Sequence, residues 1–110
     1  MEKPENIDFQ LIISIVNRGK CGRVIESSKA AGAEGGTIIT GRGSGVHEKA
    51  KLFSLTIEPE KDIILTLVPT DRTEEVLEAI IEGSHLNEPG NGIAFVVDVE
   101  KVTGINHLIE

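Results

Sequence analysis

The chain of 110 residues has no tryptophan and no tyrosine, and Phe9, Phe53 and Phe95 are its only aromatic residues. Single-strand binders stack bases on several aromatic faces, and such platforms are hard to build from three phenylalanines. Cations are scarce as well. Eleven Lys and Arg stand against eighteen Asp and Glu, a formal net charge of -7, which opposes association with a polyanion unless the basic residues gather on one face. Nucleic acid is therefore not expected as a partner. The single cysteine, Cys21, excludes an internal disulfide and a cysteine-built metal cage and agrees with a reducing compartment. No apolar run approaches the roughly 20 residues of a membrane-spanning helix. The opening MEKPENIDF carries acids and no apolar signal core, so no direct membrane insertion is expected and the expected compartment is the cytoplasm.

What is present suits one soluble globular domain over residues 1–110, with 39% hydrophobic and 26% charged residues and no low-complexity tract. Residues 1–8 are polar, carry Pro4, and read as a loose lead-in. Phe9 to Val16 is dense in β-branched residues and reads as a buried strand. From Lys20 the period changes to that of a helix, with Cys21, Val24, Ile25 and Ser28 on one face and Gly32 as its end signal. Cys21 on that face reads as a small hydrophobe. Gly36 to Thr40 is a second strand, Leu52 to Ile57 its returning partner, and Asp62 to Val68 another buried strand after an interruption at residues 58–61. Asp71 and Glu74 have the spacing of a capping box ahead of a stripe of Thr73, Val76, Leu77, Ile80 and Ile81. Turn residues crowd positions 87–92, Ile93 to Val99 is the last long strand, residues 100–105 suggest a short hairpin arm, and 106–110 a tail.

The two halves repeat. LIISIVNRGKCGRVIE from Leu11 and IILTLVPTDRTEEVLE from Ile63 share an apolar pattern through strand and helix. Two strand-helix-strand units side by side predict an α+β fold, a ferredoxin-like β-α-β-β-α-β sandwich in which two helices cover one face of a four-stranded antiparallel sheet. In the first strand Ile12, Ser14 and Val16 point one way and Leu11, Ile13 and Ile15 the other, and both sets are mostly apolar. The face without helices is accordingly expected to be buried against other subunits.

The least core-like stretch runs from Gly35 to Lys51. Gly41, Gly43 and Gly45 alternate in it, and Arg42, Ser44, His47 and Lys49 supply polar tips, an arrangement suited to a ligand or a partner. A second glycine turn, Gly90-Asn91-Gly92, offers backbone N–H groups that could cradle an anion. His47, His85 and His107 show no metal-ligand spacing, so no metal site is expected.

The turn Pro89-Gly90-Asn91-Gly92, followed by Phe95, Asp98-Val99 and Lys101-Val102, resembles the P-II nitrogen regulatory family. Gly35-x-Thr37 leading to Gly43-x-Gly45, Lys61 after Pro59, and Val68-Pro69 before the second helix add to the resemblance, which covers about Gln10 to Ile105. It implies a PII-like homotrimer with nucleotide held in clefts between subunits, and a short T-loop-like segment at 41–51 that meets the regulated protein. Carried over by position, Thr37 would meet the adenine edge, Gly43 and Gly45 would line the cleft, and Ile15 and Leu67 would form its apolar wall. Lys61 would reach phosphate or effector, and Gly90, Asn91 and Gly92 would hold phosphates. Arg42, Ser44, His47 and Lys49 would present the partner loop.

The departures bear on the ligand. Ile93 stands where the family has a lysine, Gly104 and Asn106 where it has arginines, and Val46 and His47 where it has arginine and glutamine. Each lost charge-assisted contact is worth roughly 1.5 to 3 kcal/mol. ATP, ADP or AMP stay on the list of expected ligands with weakened basic contacts, and Mg-bound 2-oxoglutarate is disfavoured. Without tyrosine, tyrosine uridylylation is ruled out. The expectation is a non-enzymatic regulator of a membrane transporter or metabolic enzyme, linked to nitrogen regulation. Two alternatives share the fold: a small phosphatase of the acylphosphatase type, using Asn17-Arg18-Gly19-Lys20 as a phosphate loop beside a helix N-terminus, and a trimeric metal-tolerance protein.

Overall fold

A computed structural model describes residues 8–44, 50–52 and 55–105. The elements, in chain order, are β1 (Phe9–Asn17), α1 (Cys21–Ala30), β2 (Thr37–Arg42), β3 (Ala50–Leu52), β4 (Leu55–Ile57), β5 (Glu60–Pro69), α2 (Thr73–Gly83) and β6 (Gly92–Val99). Strands β2, β5, β1 and β6 lie in that spatial order in one antiparallel sheet. This is the ferredoxin-like arrangement read from the internal repeat. The two most apolar strands, β1 and β5, occupy its centre, where both of their edges are paired.

The core forms on one face only. Ile12 and Val16 of β1 and Ile64 and Val68 of β5 alternate toward the helices, and Val24 of α1 with Val76 and Ile80 of α2 close over them. All seven are at most 1% exposed. The helical periods therefore place the core stripe as expected, with Cys21, Ile25 and Leu77 half-buried at its margin. Helix α1 ends at Ala30, and Gly32, just past its cap, takes a φ of 108° that belongs to glycine. The amide of Ala33 there reaches back to the Ser28 carbonyl at 2.9 Å, closing the turn.

Several boundaries differ from the sequence reading. The expected capping box does not form: Thr70–Arg72 is a 3-10 turn, and α2 starts at Thr73 without a side-chain cap. Asp71 is thus wound into a helical turn and cannot take the extended backbone that a capping residue needs. Strand β2 runs on through Gly41 and Arg42, because these pair with Lys61 and Glu60, and β5 starts at Glu60 for the same reason. Of the expected returning strand, Leu52 and Leu55–Ile57 do not run along the main sheet. The strands β3 and β4 pair with each other as a separate ribbon, and β5 is the partner of β2. The described residues 101–105 form no strand.

Behind the core, Thr66 and Ser14 are fully buried on the helix side and their hydroxyls have no hydrogen-bond partner among the described residues. An unpaired buried hydroxyl costs desolvation with no return. Replacing Thr66→Val keeps the shape and removes the polar atom, so urea unfolding is expected to show stability unchanged or raised by about 1 kcal/mol. At the other extreme, Gly92 has φ 140°, and a methyl group there would collide with the Ile15 carbonyl oxygen and stand 3.0 Å from Val16 Cγ1. The close approach of β6 to β1 depends on that missing side chain. Gly92→Ala is expected to lower stability by about 3 kcal/mol, measured by the same unfolding midpoint.

Candidate functional site

On the sheet face without helices, register brings four isoleucines into one row: Ile39, Ile63, Ile15 and Ile93, on β2, β5, β1 and β6. Beyond its end, Lys61 lies between Gly41 and Asn17 on the neighbouring strands. Here a cleft of about 290 Å³ opens, lined by Ile15, Ile63, Ile93, Lys61, Gly92 and the first loop residues Arg42, Gly43 and Ser44. Its floor is apolar and one end is cationic. Such a pocket suits a small ligand with a flat apolar part and an anionic part.

The cation is held by its surroundings. Lys61 is 8% exposed, and a buried ammonium needs partners to offset its lost hydration. Its Nζ donates to Asn17 Oδ1 at 2.7 Å, and Asn17 Nδ2 in turn donates to the Gly90 carbonyl at 3.0 Å. One side chain thus ties the cleft lysine to the glycine turn. Arg42 donates from Nη1 to the Glu58 carbonyl at 3.3 Å, with Glu60 3.9 Å from its other terminal nitrogen.

Asp62, next along β5, faces the helix side. Its Oδ2 accepts from the Gly19 amide at 2.9 Å, and Glu60 pairs with Arg18 at 2.6 Å. Amide and guanidinium of the expected phosphate loop are thereby already bound to carboxylates, which disfavours the acylphosphatase reading. Asp62 also governs Cys21. Burial first, then the hydrogen bond to Asp62 and its negative charge, push the thiol above its ordinary pKa. The thiol stays protonated at neutral pH and serves structure rather than nucleophilic chemistry.

Of the residues singled out from sequence, the cleft brings together Ile15, Gly43, Lys61 and Gly92, and with them Arg42 and Ser44 from the partner loop. Thr37 is exposed on the edge strand opposite Leu65, one row beyond the isoleucines. Leu67 lies two rows away and lines a different, smaller recess with Gly32, Pro69 and Arg72. Gly90 is exposed in the turn, and Asn91 lines a recess on the helix side of the sheet. Gly45, His47 and Lys49 lie outside the described residues. Sequence reasoning missed Ile63 and Ile93 as lining. The signal for both was strand register: they flank Ile15 on either side. Among the described residues no cluster of His, Cys, Asp and Glu is arranged to hold a metal, and no helix is long and apolar enough to cross a membrane.

Comparison with known proteins agrees with this geometry. The family model described as nitrogen regulatory protein P-II matches residues 9–107. Among solved structures, the crystal structure of Arabidopsis thaliana PII bound to citrate is 26% identical. That match covers 92% of this chain and 86% of the plant chain with a TM-score of 0.70. Since it spans every element from β1 through β6 and the sheet order is the one that the sequence repeat requires, the chain belongs to the nitrogen regulatory protein P-II family.

Proposed function

We propose that this protein is a homotrimeric PII-type regulator. It binds an adenine nucleotide or a related small anion in clefts between subunits and regulates a transporter or enzyme through its glycine-rich loop, in a role linked to nitrogen regulation. The observation that carries this reading is the cleft itself. Ile15, Ile63 and Ile93 form an apolar floor, Lys61 a fixed cation, and Arg42, Gly43 and Ser44 at the root of the loop form the rim. A ligand there touches the loop directly, so binding and loop conformation share free energy.

The trimer reading has its own support. Ile39, Ile93, Phe95 and Val97 are 45%, 57%, 42% and 43% exposed on the uncovered face, alongside half-buried Leu11, Ile13, Leu65 and Leu67. A contiguous apolar surface of this kind marks a protein contact. Packing copies of the sheet against one another would cover it and would wall the open side of the cleft.

The charge inventory limits the ligand. Lys61 and Arg42 are the cleft's cations, and Ile93 holds the place of a family lysine. Ligands with one or two anionic groups are favoured over a triphosphate. That the related plant protein was crystallised with citrate is in keeping with a carboxylate anion as one such ligand. Hydrogen exchange with AMP, ADP, ATP and citrate supplies the test. The expected result is slowed exchange at residues 41–51 and 88–93, and an affinity lowered about tenfold to a hundredfold by Lys61→Ala. If both segments exchange at the unliganded rate with all four compounds, the ligand reading fails. A monomer by native mass spectrometry removes the trimer.

A further inference from the structure

A second recess lies on the opposite side of the sheet, where β1 ends, α1 begins and the α2–β6 connection folds back. It has a volume of about 100 Å³. Ile15 faces the cleft described above, whereas its neighbour Val16 lines this recess, since adjacent strand residues point to opposite faces. The two are therefore separate cavities at the same end of β1. With liquid water occupying about 30 Å³ per molecule, the recess has room for one tetrahedral oxyanion and none for a nucleoside.

Its chemistry is one-sided. Lys20 and Arg23 line it, and among the described residues neither has an ion-pair partner. No carboxylate lines it. Two acids are near it: Glu88, exposed and 3.6 Å from His85 Nδ1 on the rim, and Asp62, the cross-strand partner of Val16, whose Oδ2 is taken up by the Gly19 amide. Asn91 is spent on the turn, its Nδ2 donating to the His85 carbonyl at 2.9 Å. Ser84 supplies an independent observation. It lines the recess, is only 8% exposed, and its hydroxyl is buried without a hydrogen-bond partner. Among the described residues, a buried hydroxyl without a partner and two cations without counter-ions line one recess, a set of donors lacking an acceptor.

We propose that this recess binds a tetrahedral oxyanion, either free inorganic phosphate or the terminal phosphoryl group of a small phosphomonoester. The Ser84 hydroxyl donates one hydrogen bond, and Lys20 and Arg23 neutralise the charge. The recess opens on the other side of the sheet from the nucleotide cleft, with Asn17 lining it and also accepting from the cleft's Lys61, and the proposal does not require that the cleft bind a nucleotide. An anion held there joins the start of α1 to the connection that carries Gly90, whose carbonyl Asn17 already holds.

The test is an amide-resolved NMR titration of the full chain with inorganic phosphate and, separately, with glycerol phosphate, against chloride at matched ionic strength. Saturable shifts confined to residues 16–24 and 83–92 are expected. The Lys20→Gln/Arg23→Gln double variant is expected to weaken binding at least about tenfold, with Ser84→Ala weakening it severalfold. Ser84→Ala removes no existing hydrogen bond of the side chain, so it retains the fold even if the charge variants lose stability. Saturation by phosphate alone assigns the free anion, and saturation by both assigns the phosphoryl group. Shifts no larger than those with chloride, or saturation unchanged in the double variant and in Ser84→Ala, overturn the proposal.

Discussion

Two amphipathic helices cover one face of a four-stranded sheet and no more, while the central strands β1 and β5 are apolar on both. That mismatch shapes everything else about the chain. On the helix side, Ile12, Val16, Ile64 and Val68 find Val24, Val76 and Ile80. On the other side Ile13, Ile15, Ile63 and Leu65 find only their cross-strand neighbours. Hydrophobic burial at about 25 cal/mol per Å² dominates folding, so a fold that leaves this much apolar surface uncovered has unspent driving force for association. The proposed assembly uses it, and the ligand cleft lies where the apolar rows meet the first polar residues of β5.

Those polar residues, Lys61 and Asp62, divide the same strand end between two tasks. Alternation sends Lys61 to the cleft and Asp62 to the helix side, where it binds the Gly19 amide. Both are nearly buried, and a fixed dipole answers each: the Asn17 carboxamide for the lysine and the loop amide for the aspartate. Asn17 also holds the Gly90 carbonyl. The cleft lysine, the first strand and the late turn therefore form one rigid unit, which is what a binding site needs if ligand energy is to move the loop rather than the scaffold.

Much of this was legible in the residues. The shared pattern from Leu11 and from Ile63 set the topology, because a β-branched run followed by a 3.6-residue period has few other readings. The position of Lys61, Gly43 and Gly92 at one site followed from the family resemblance rather than from any pattern in the chain. Strand ends were less legible. Gly41, Arg42, Glu60 and Lys61 are poor strand formers, held extended by the partners they meet across β2 and β5. Asp71 and Glu74 carry a genuine capping spacing, overridden when residues 70–72 wound into a 3-10 turn. The row of isoleucines could not be read without register, since a shift of one residue sends every side chain to the other face. The recess behind the turn was invisible for another reason: Lys20, Arg23 and Ser84 are distant in sequence and belong to no motif.

The two cavities at the end of β1 suggest how a divergent family member can keep a fold and change its chemistry. Where the family resemblance places a lysine the cleft has Ile93, an apolar side chain that offers no attraction to a highly charged ligand and apolar contact to a planar one. On the helix side, Lys20 and Arg23 line a recess with the Ser84 hydroxyl, which no described residue satisfies. In a chain with a net charge of -7, two cations lining one recess with no carboxylate partner among the described residues run against the surrounding field, since nearby acids lower the energy of any lysine or arginine that pairs with them. Their separation from those acids is the arrangement that leaves their charge available to an anion.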